Sequence, residues 1–178
     1  SAAAASCWGI GERIDNRANA QIYADGQLQA IAGQAIFNDG ILGASQDVQL
    51  ITQATQGSIE STASSVLAAG MDATGEVRLG GGSLTLQGGN TGAVELKGLT
   101  LAGRHIQAQA GAIDLRGQDL LSENIDIRAS QGNLLAQDSS LQALQKLRLD
   151  AAGQLRSDGA ALTSVFTTLF GDAAAGLV

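Results

Sequence analysis

One histidine, His105, and one cysteine, Cys7, set narrow limits on the chemistry of this chain. A single imidazole excludes a histidine-rich metal site, and any Ser-His-Asp triad would have to pass through His105. Cys7 lies far from His105 in sequence, so spacing does not favour a Cys–His nucleophile pair. A lone histidine at a strand edge reads as a solvated or structural residue. The carboxylates offer a second possibility. Asp114, Asp119, Glu123 and Asp126 are near one another in sequence and could approach across adjacent turns of a repeating fold. Two or three clustered acids are what polysaccharide lyases and hydrolases use for acid–base work or for calcium. Arg116 and Arg128 are interleaved with them, however, and read as partners in a neutralised surface network. No aromatic platform for stacking a sugar occurs between Phe37 and Phe166. The glycine-rich stretches Gly80-Gly-Gly-Ser-Leu and Gly88-Gly-Asn-Thr-Gly lack the lysine of a phosphate-binding loop and read as wide turns. The aspartate-rich nonapeptides of calcium-binding β-rolls are missing. The expectation is therefore no catalytic, cofactor or metal residue, no cofactor, and no enzyme.

The elements that would position these side chains are dominated by a repeat. Leu99, Leu120, Leu141 and Leu162 recur every 21 residues, and Gly111, Gly132 and Gly153 follow twelve residues after the first three. Two residues beyond each glycine stands an apolar residue: Ile113, Leu134 and Leu155. A second apolar couple precedes it: Ile106/Ala108, Ile125/Ile127 and Leu147/Leu149. Units of this length cannot bury their apolar residues alone, and must stack on their neighbours as a solenoid. The local period is two, as in Leu84-Thr-Leu86, Val94-Glu-Leu96 and Val77-Arg-Leu79, which is strand geometry. Short parallel strands with about 21 residues per turn make a right-handed parallel β-helix, an all-β fold. Roughly eight coils at a rise of about 4.8 Å would form a rod on the order of 40 Å long. Gln107, Asp114, Arg116, Asp126, Arg128, Arg148 and Arg156 are expected to face water.

Composition agrees. Of the 178 residues, 44% are hydrophobic but only 3% aromatic, with 24 glycines and no proline. Small and branched aliphatics suit a narrow stacked interior, whereas a wide globular core uses more large rings. The absence of proline suits strands that must all donate hydrogen bonds to a neighbouring coil. A net charge of −7 with few basic residues argues against nucleic acid and anionic membranes as partners. No run of about 20 apolar residues exists to cross a bilayer.

Taken in order, residues 1–13, with the only tryptophan at Trp8, read as an irregular N-terminal part of a single solenoid segment spanning residues 1–178. Coils are expected over 14–159. Asp25-Gly26 and Asp39-Gly40 mark corners, and uneven spacing within 62–92 points to loops or altered coils. Residues 160–178 are expected to form a short helical or irregular cap. Leu162, Val165, Phe166, Leu169 and Phe170 lie on one helical face, with Gly171 as a stop. Phe166 and Phe170 would then be buried over the last coil.

Three stretches carry a family resemblance. Ile14-Asp-Asn-Arg-Ala-Asn-Ala-Gln-Ile-Tyr-Ala-Asp-Gly-Gln-Leu-Gln-Ala, Ser122-Glu-Asn-Ile-Asp-Ile-Arg-Ala-Ser-Gln-Gly-Asn-Leu-Leu-Ala and Leu147-Arg-Leu-Asp-Ala-Ala-Gly-Gln-Leu resemble the degenerate repeats of filamentous-haemagglutinin exoproteins. That family includes the contact-dependent inhibition proteins of Gram-negative bacteria. The resemblance covers residues 14–162. It implies a β-helical shaft secreted by a two-partner route through an outer-membrane transporter and displayed at the cell surface. There the shaft would project an adhesive or toxic tip toward a receptor or glycan on a host or neighbouring cell. The Asn-Pro-Asn-type signatures of the family's secretion domain are absent, so the likeness is to shaft alone. A β-helix protein that binds or degrades polysaccharide is the alternative from a different class.

Overall fold

The computed structural model describes residues 7–171 of the chain, and side chains from residue 11 onward. Eighteen strands join one continuous parallel sheet that winds into a β-solenoid of about 8 turns with ~21 residues per turn. Each turn contributes to three faces. Face A stacks the first half of β1 (Cys7–Asn16) on the first half of β3 (Leu28–Asn38), followed by β5 (Val48–Thr52) and β8 (Ser83–Gln87). It continues through β11 (His105–Ala110), the second half of β13 (Asp119–Ala129), the second half of β15 (Ser140–Ala151) and β18 (Phe166–Phe170). Face B follows the second halves of β1 and β3 with β6 (Ser58–Ser61), β9 (Ala93–Glu95), β12 (Ala112–Asp114), β14 (Leu134–Leu135) and β16 (Leu155–Arg156). Face C stacks β2 (Gln21–Ala24), β4 (Ile41–Ala44), β7 (Val66–Ala69) and β10 (Leu99–Ala102). It is completed by the first halves of β13 and β15 and by β17 (Ala161–Thr163).

Alternation places every second residue of each strand in the interior. On face B the inward ladder Ile36–Ile59–Val94–Ile113–Leu134–Leu155 is buried throughout. Face A supplies two parallel ladders, Leu28–Val48–Leu84–Ile106–Ile125–Leu147 and Ala30–Leu50–Leu86–Ala108–Ile127–Leu149. These aliphatics form one contiguous core along the rod. Corners are closed by buried polar residues that take up backbone groups the strands leave free. Asn16 Nδ2 donates to Asn38 Oδ1 at 2.7 Å, and Asn38 Nδ2 donates to the Val66 carbonyl at 3.1 Å. Two turns on, Ser61 Oγ donates to the Lys97 carbonyl and accepts from the Lys97 N–H, both at 2.9 Å. Gly98, at the next corner, has φ +93°, and a Cβ there would lie 2.5 Å from the Ser65 carbonyl. Only glycine satisfies both constraints.

Four expectations are corrected. Residues 7–13 of the expected irregular part belong to β1, because Cys7–Gly11 pairs in register with Leu28–Ala32, with one register shift between Gly11 and Arg13; residues 1–6 lie outside the described residues. The C-terminal segment is not a helix. β17 and β18 continue faces C and A, with Leu162 on Leu141 and Leu169 on Leu149. A strand, a short corner and a second strand mimic helical spacing here. Phe166 and Phe170 consequently point outward, 70% and 49% exposed, and cap nothing. Residues 172–178 of the expected cap lie outside the described residues. Leu99 is also out of step with its supposed equivalents: Thr100 pairs with Leu120 and is 1% exposed, while Leu99 is 40% exposed. Finally, Val77-Arg-Leu79 is not part of a coil. It lies in an insertion over residues 70–82, at a corner that elsewhere needs two or three residues. An antiparallel bridge from Met71 to Val77 organises the insertion. Met71 packs over Gly43, where a Cβ would come within 2.4 Å of its Cε, and Tyr23 Oη donates to the Met71 carbonyl at 3.2 Å.

Candidate functional site

The solenoid scatters the carboxylates that are neighbours in sequence. Asp114 ends face B, Asp119 opens face C, Glu123 sits at the corner between faces C and A, and Asp126 lies on face A. Strands that share a turn diverge to different faces, so the acidic cluster does not form. Among the described residues there is no group of three or more His, Cys, Asp or Glu side chains able to hold a metal ion. His105 stands at the start of β11 on the outer side of face A, beside Ser83 and Asn124. Cys7 opens β1, and its side chain lies outside the described residues.

The ionic groups instead form local pairs. Arg116 clasps Asp114 with Nε at 2.9 and 3.0 Å from the two carboxylate oxygens and Nη2 at 2.5 Å from Oδ2. These bonds hold the Asp114 carboxyl below the usual carboxylate range, against the opposing effect of its partial burial. Asp72 in the insertion is also held low, chiefly by the Thr74 hydroxyl and then by the Glu76 N–H. Arg78 Nη2 also lies 3.3 Å from Asp72 Oδ2. The Arg116–Asp114 and Arg78–Asp72 pairs lie at the surface and tie down a corner and a loop, as exposed ion pairs do at small energetic gain.

The arrangement with the most chemical potential is on the outer side of face A. Outward residues there stack from turn to turn, because each strand pairs in register with the next. Thr85 and Gln87 from β8, Gln107 and Gln109 from β11, and Asp126 and Arg128 from β13 line a groove of about 300 Å³, with Arg148 from β15 at one end. Beyond the glutamines the charges alternate in both directions. Asp126 pairs in register with Arg148, and Arg128 with Asp150. Arg148 Nη2 lies 2.9 Å from Asp150 Oδ2, while Arg128 Nε is 3.9 Å from the same oxygen. Arg148 also sits over Phe170, with its guanidinium carbon 5.5 Å from the ring centre. On the turns before the groove, Gln29 Nε2 donates to Gln49 Oε1 at 2.8 Å, one amide-to-amide bond between successive turns. Among the described residues, Gln87, Gln107 and Gln109 make no such side-chain bond within the chain.

Alternation alone marks Gln107, Asp126, Arg128 and Arg148 as outward. Alternation does not show that they share a groove with Thr85, Gln87 and Gln109. The available signal was a polar-x-polar motif in four successive strands of one face: Thr85-x-Gln87, Gln107-x-Gln109, Asp126-x-Arg128 and Arg148-x-Asp150. The fold and this face together define a parallel β-solenoid with a continuous apolar interior and one polar grooved flank. In comparisons with protein-family models, with curated proteins and with solved structures, nothing matches the chain.

Proposed function

We propose that this chain is a segment of the shaft of a large bacterial surface exoprotein, an adhesin or a contact-dependent toxin-delivery filament of a Gram-negative cell. The observation that carries the reading is open-ended stacking. Strands of all three faces pair in parallel with those of the turn before, so further turns can be stacked on the same pattern. A rod built this way sets a distance between a membrane and a tip. The likeness of three stretches to filamentous-haemagglutinin repeats supports the same reading. In it the segment performs no catalysis and takes no cofactor. The whole protein crosses the outer membrane through a dedicated transporter, and its tip meets a receptor or glycan on another cell. Fractionation and protease shaving of cells that produce the full-length protein test this. The segment should be digested from intact cells, and retention in the cytoplasm after cell lysis alone exposes it would overturn the reading.

A further inference from the structure

We infer that the face A groove is a binding site for a neutral, extended polysaccharide chain lying along the axis of the rod. This goes beyond the shaft reading, which needs no ligand on the flank of the solenoid. The donor and acceptor set points to hydroxyl groups. Amides of Gln87, Gln107 and Gln109, the Thr85 hydroxyl, the Asp126 carboxylate and the Arg128 guanidinium line one groove within three adjacent turns. A sugar hydroxyl both donates and accepts, and an amide or a carboxylate–guanidinium couple answers both halves. The charges on the groove and its margin balance, Asp126 and Asp150 against Arg128 and Arg148, which suits an uncharged chain better than a polyanion.

Geometry supplies the direction. Equivalent side chains recur along the stack at about 4.8 Å. A 1,4-linked hexose chain advances by a comparable step per sugar, so successive residues meet successive rungs. A peptide fits the same groove poorly. The strands β8, β11 and β13 are paired on both sides, leaving no free edge for strand addition, and the apolar residues of the groove lining, Leu86 and Ala108, are buried and offer little surface to anchor a side chain. With no aromatic platform inside the groove, affinity should fall in the millimolar range.

The test is an NMR titration of the full chain with cellopentaose, in parallel with pentagalacturonate. Cellopentaose should shift amide resonances of β8, β11 and β13 saturably, and more tightly than the uronate. The double variant Gln107→Ala/Gln109→Ala should weaken binding about tenfold, as expected for two lost side-chain hydrogen bonds. Arg128→Ala should weaken it in the same direction. All of these side chains point outward, so the thermal melt by circular dichroism should be unchanged, and Asp114→Asn on face B should bind like the parent. Absence of saturable shifts, shifts centred on another face, unchanged binding by the double variant, or tighter binding of the uronate would each overturn the inference. None of these results bears on the shaft reading, which rests on stacking and surface display.

Discussion

Leu134 and Asn133 are adjacent residues with opposite roles. Leu134 is fully buried in the ladder between Ile113 and Leu155, and Asn133 is exposed. Replacing Leu134 with alanine should lower stability to urea by about 2–5 kcal/mol, the range for a buried leucine whose site relaxes only partly. Asn133→Ala should cost about 1 kcal/mol, because Asn133 Oδ1 accepts the Gln154 N–H at 2.9 Å and so secures the next corner. Equal and small losses at both positions would overturn the facing of this strand. The leucine is legible from sequence, since alternation places Leu134 and Leu155 on one side of their strands. The asparagine's capping bond is not, because its partner is 21 residues away and on another turn. Leu99 shows the limit of counting. Its spacing of 21 from Leu120 fits the average period, but β10 pairs with β13 at an offset of 20, and Thr100 takes the interior position. Backbone pairing fixes the register, and corner lengths vary around the mean.

At the scale of elements, the insertion over residues 70–82 is the longest departure from the solenoid's economy among the described residues. Its uneven glycine spacing is readable as a loop, whereas its apolar alternation at Val77 and Leu79 misleads, since Leu79 is 65% exposed. Period two identifies extended backbone without saying which sheet, if any, it joins. The insertion is held by Met71 over Gly43, by the Tyr23 hydroxyl and by the turn around Asp72. Removing residues 71–81 would leave Gly70-Gly82 as a two-residue corner, like Gly103-Arg104 one turn later. The shortened chain should fold to the same β-rich spectrum, losing about 1.5–3 kcal/mol for the methionine contact. Loop-closure entropy changes little over such lengths. Failure to fold would make the insertion part of the core. The last two strands carry a related lesson. Leu162, Val165, Phe166, Leu169 and Phe170 suit a helix when read locally, yet β15 offers both strands a complete row of hydrogen-bonding groups. Tertiary pairing overrides local periodicity wherever such an edge is present.

For the whole molecule, equivalence of turns is the decisive property. Gly132 and Gly153 occupy the same place in successive turns, with the Gly153 N–H donating to the Gly132 carbonyl at 2.9 Å. Excising residues 133–153 should therefore bring β17 and β18 onto β13 in register, with Leu162 on Leu120. The product should keep a cooperative melt and a β spectrum, and its urea slope should fall by about one-eighth, in proportion to the surface removed. An unfolded or molten product would show that the turns are not interchangeable.

What the sequence determines by itself is the alternation of small aliphatics with polar residues, the average repeat, and the exclusion of a large-ring core and of a histidine-rich metal site. From these a stacked β-solenoid follows, because a short unit of period-two strands repeated in tandem buries its apolar side by stacking on its neighbours. Tertiary structure alone decides which outward residues meet. Asp114 and Asp126 are close in sequence but stand on different faces, while Thr85 and Arg148, far apart in sequence, line one groove. The reason is the parallel register. Hydrogen bonding between turns sends each half-turn to its own face and aligns it with strands one turn away, so surface chemistry is assembled across the stack and not along the chain.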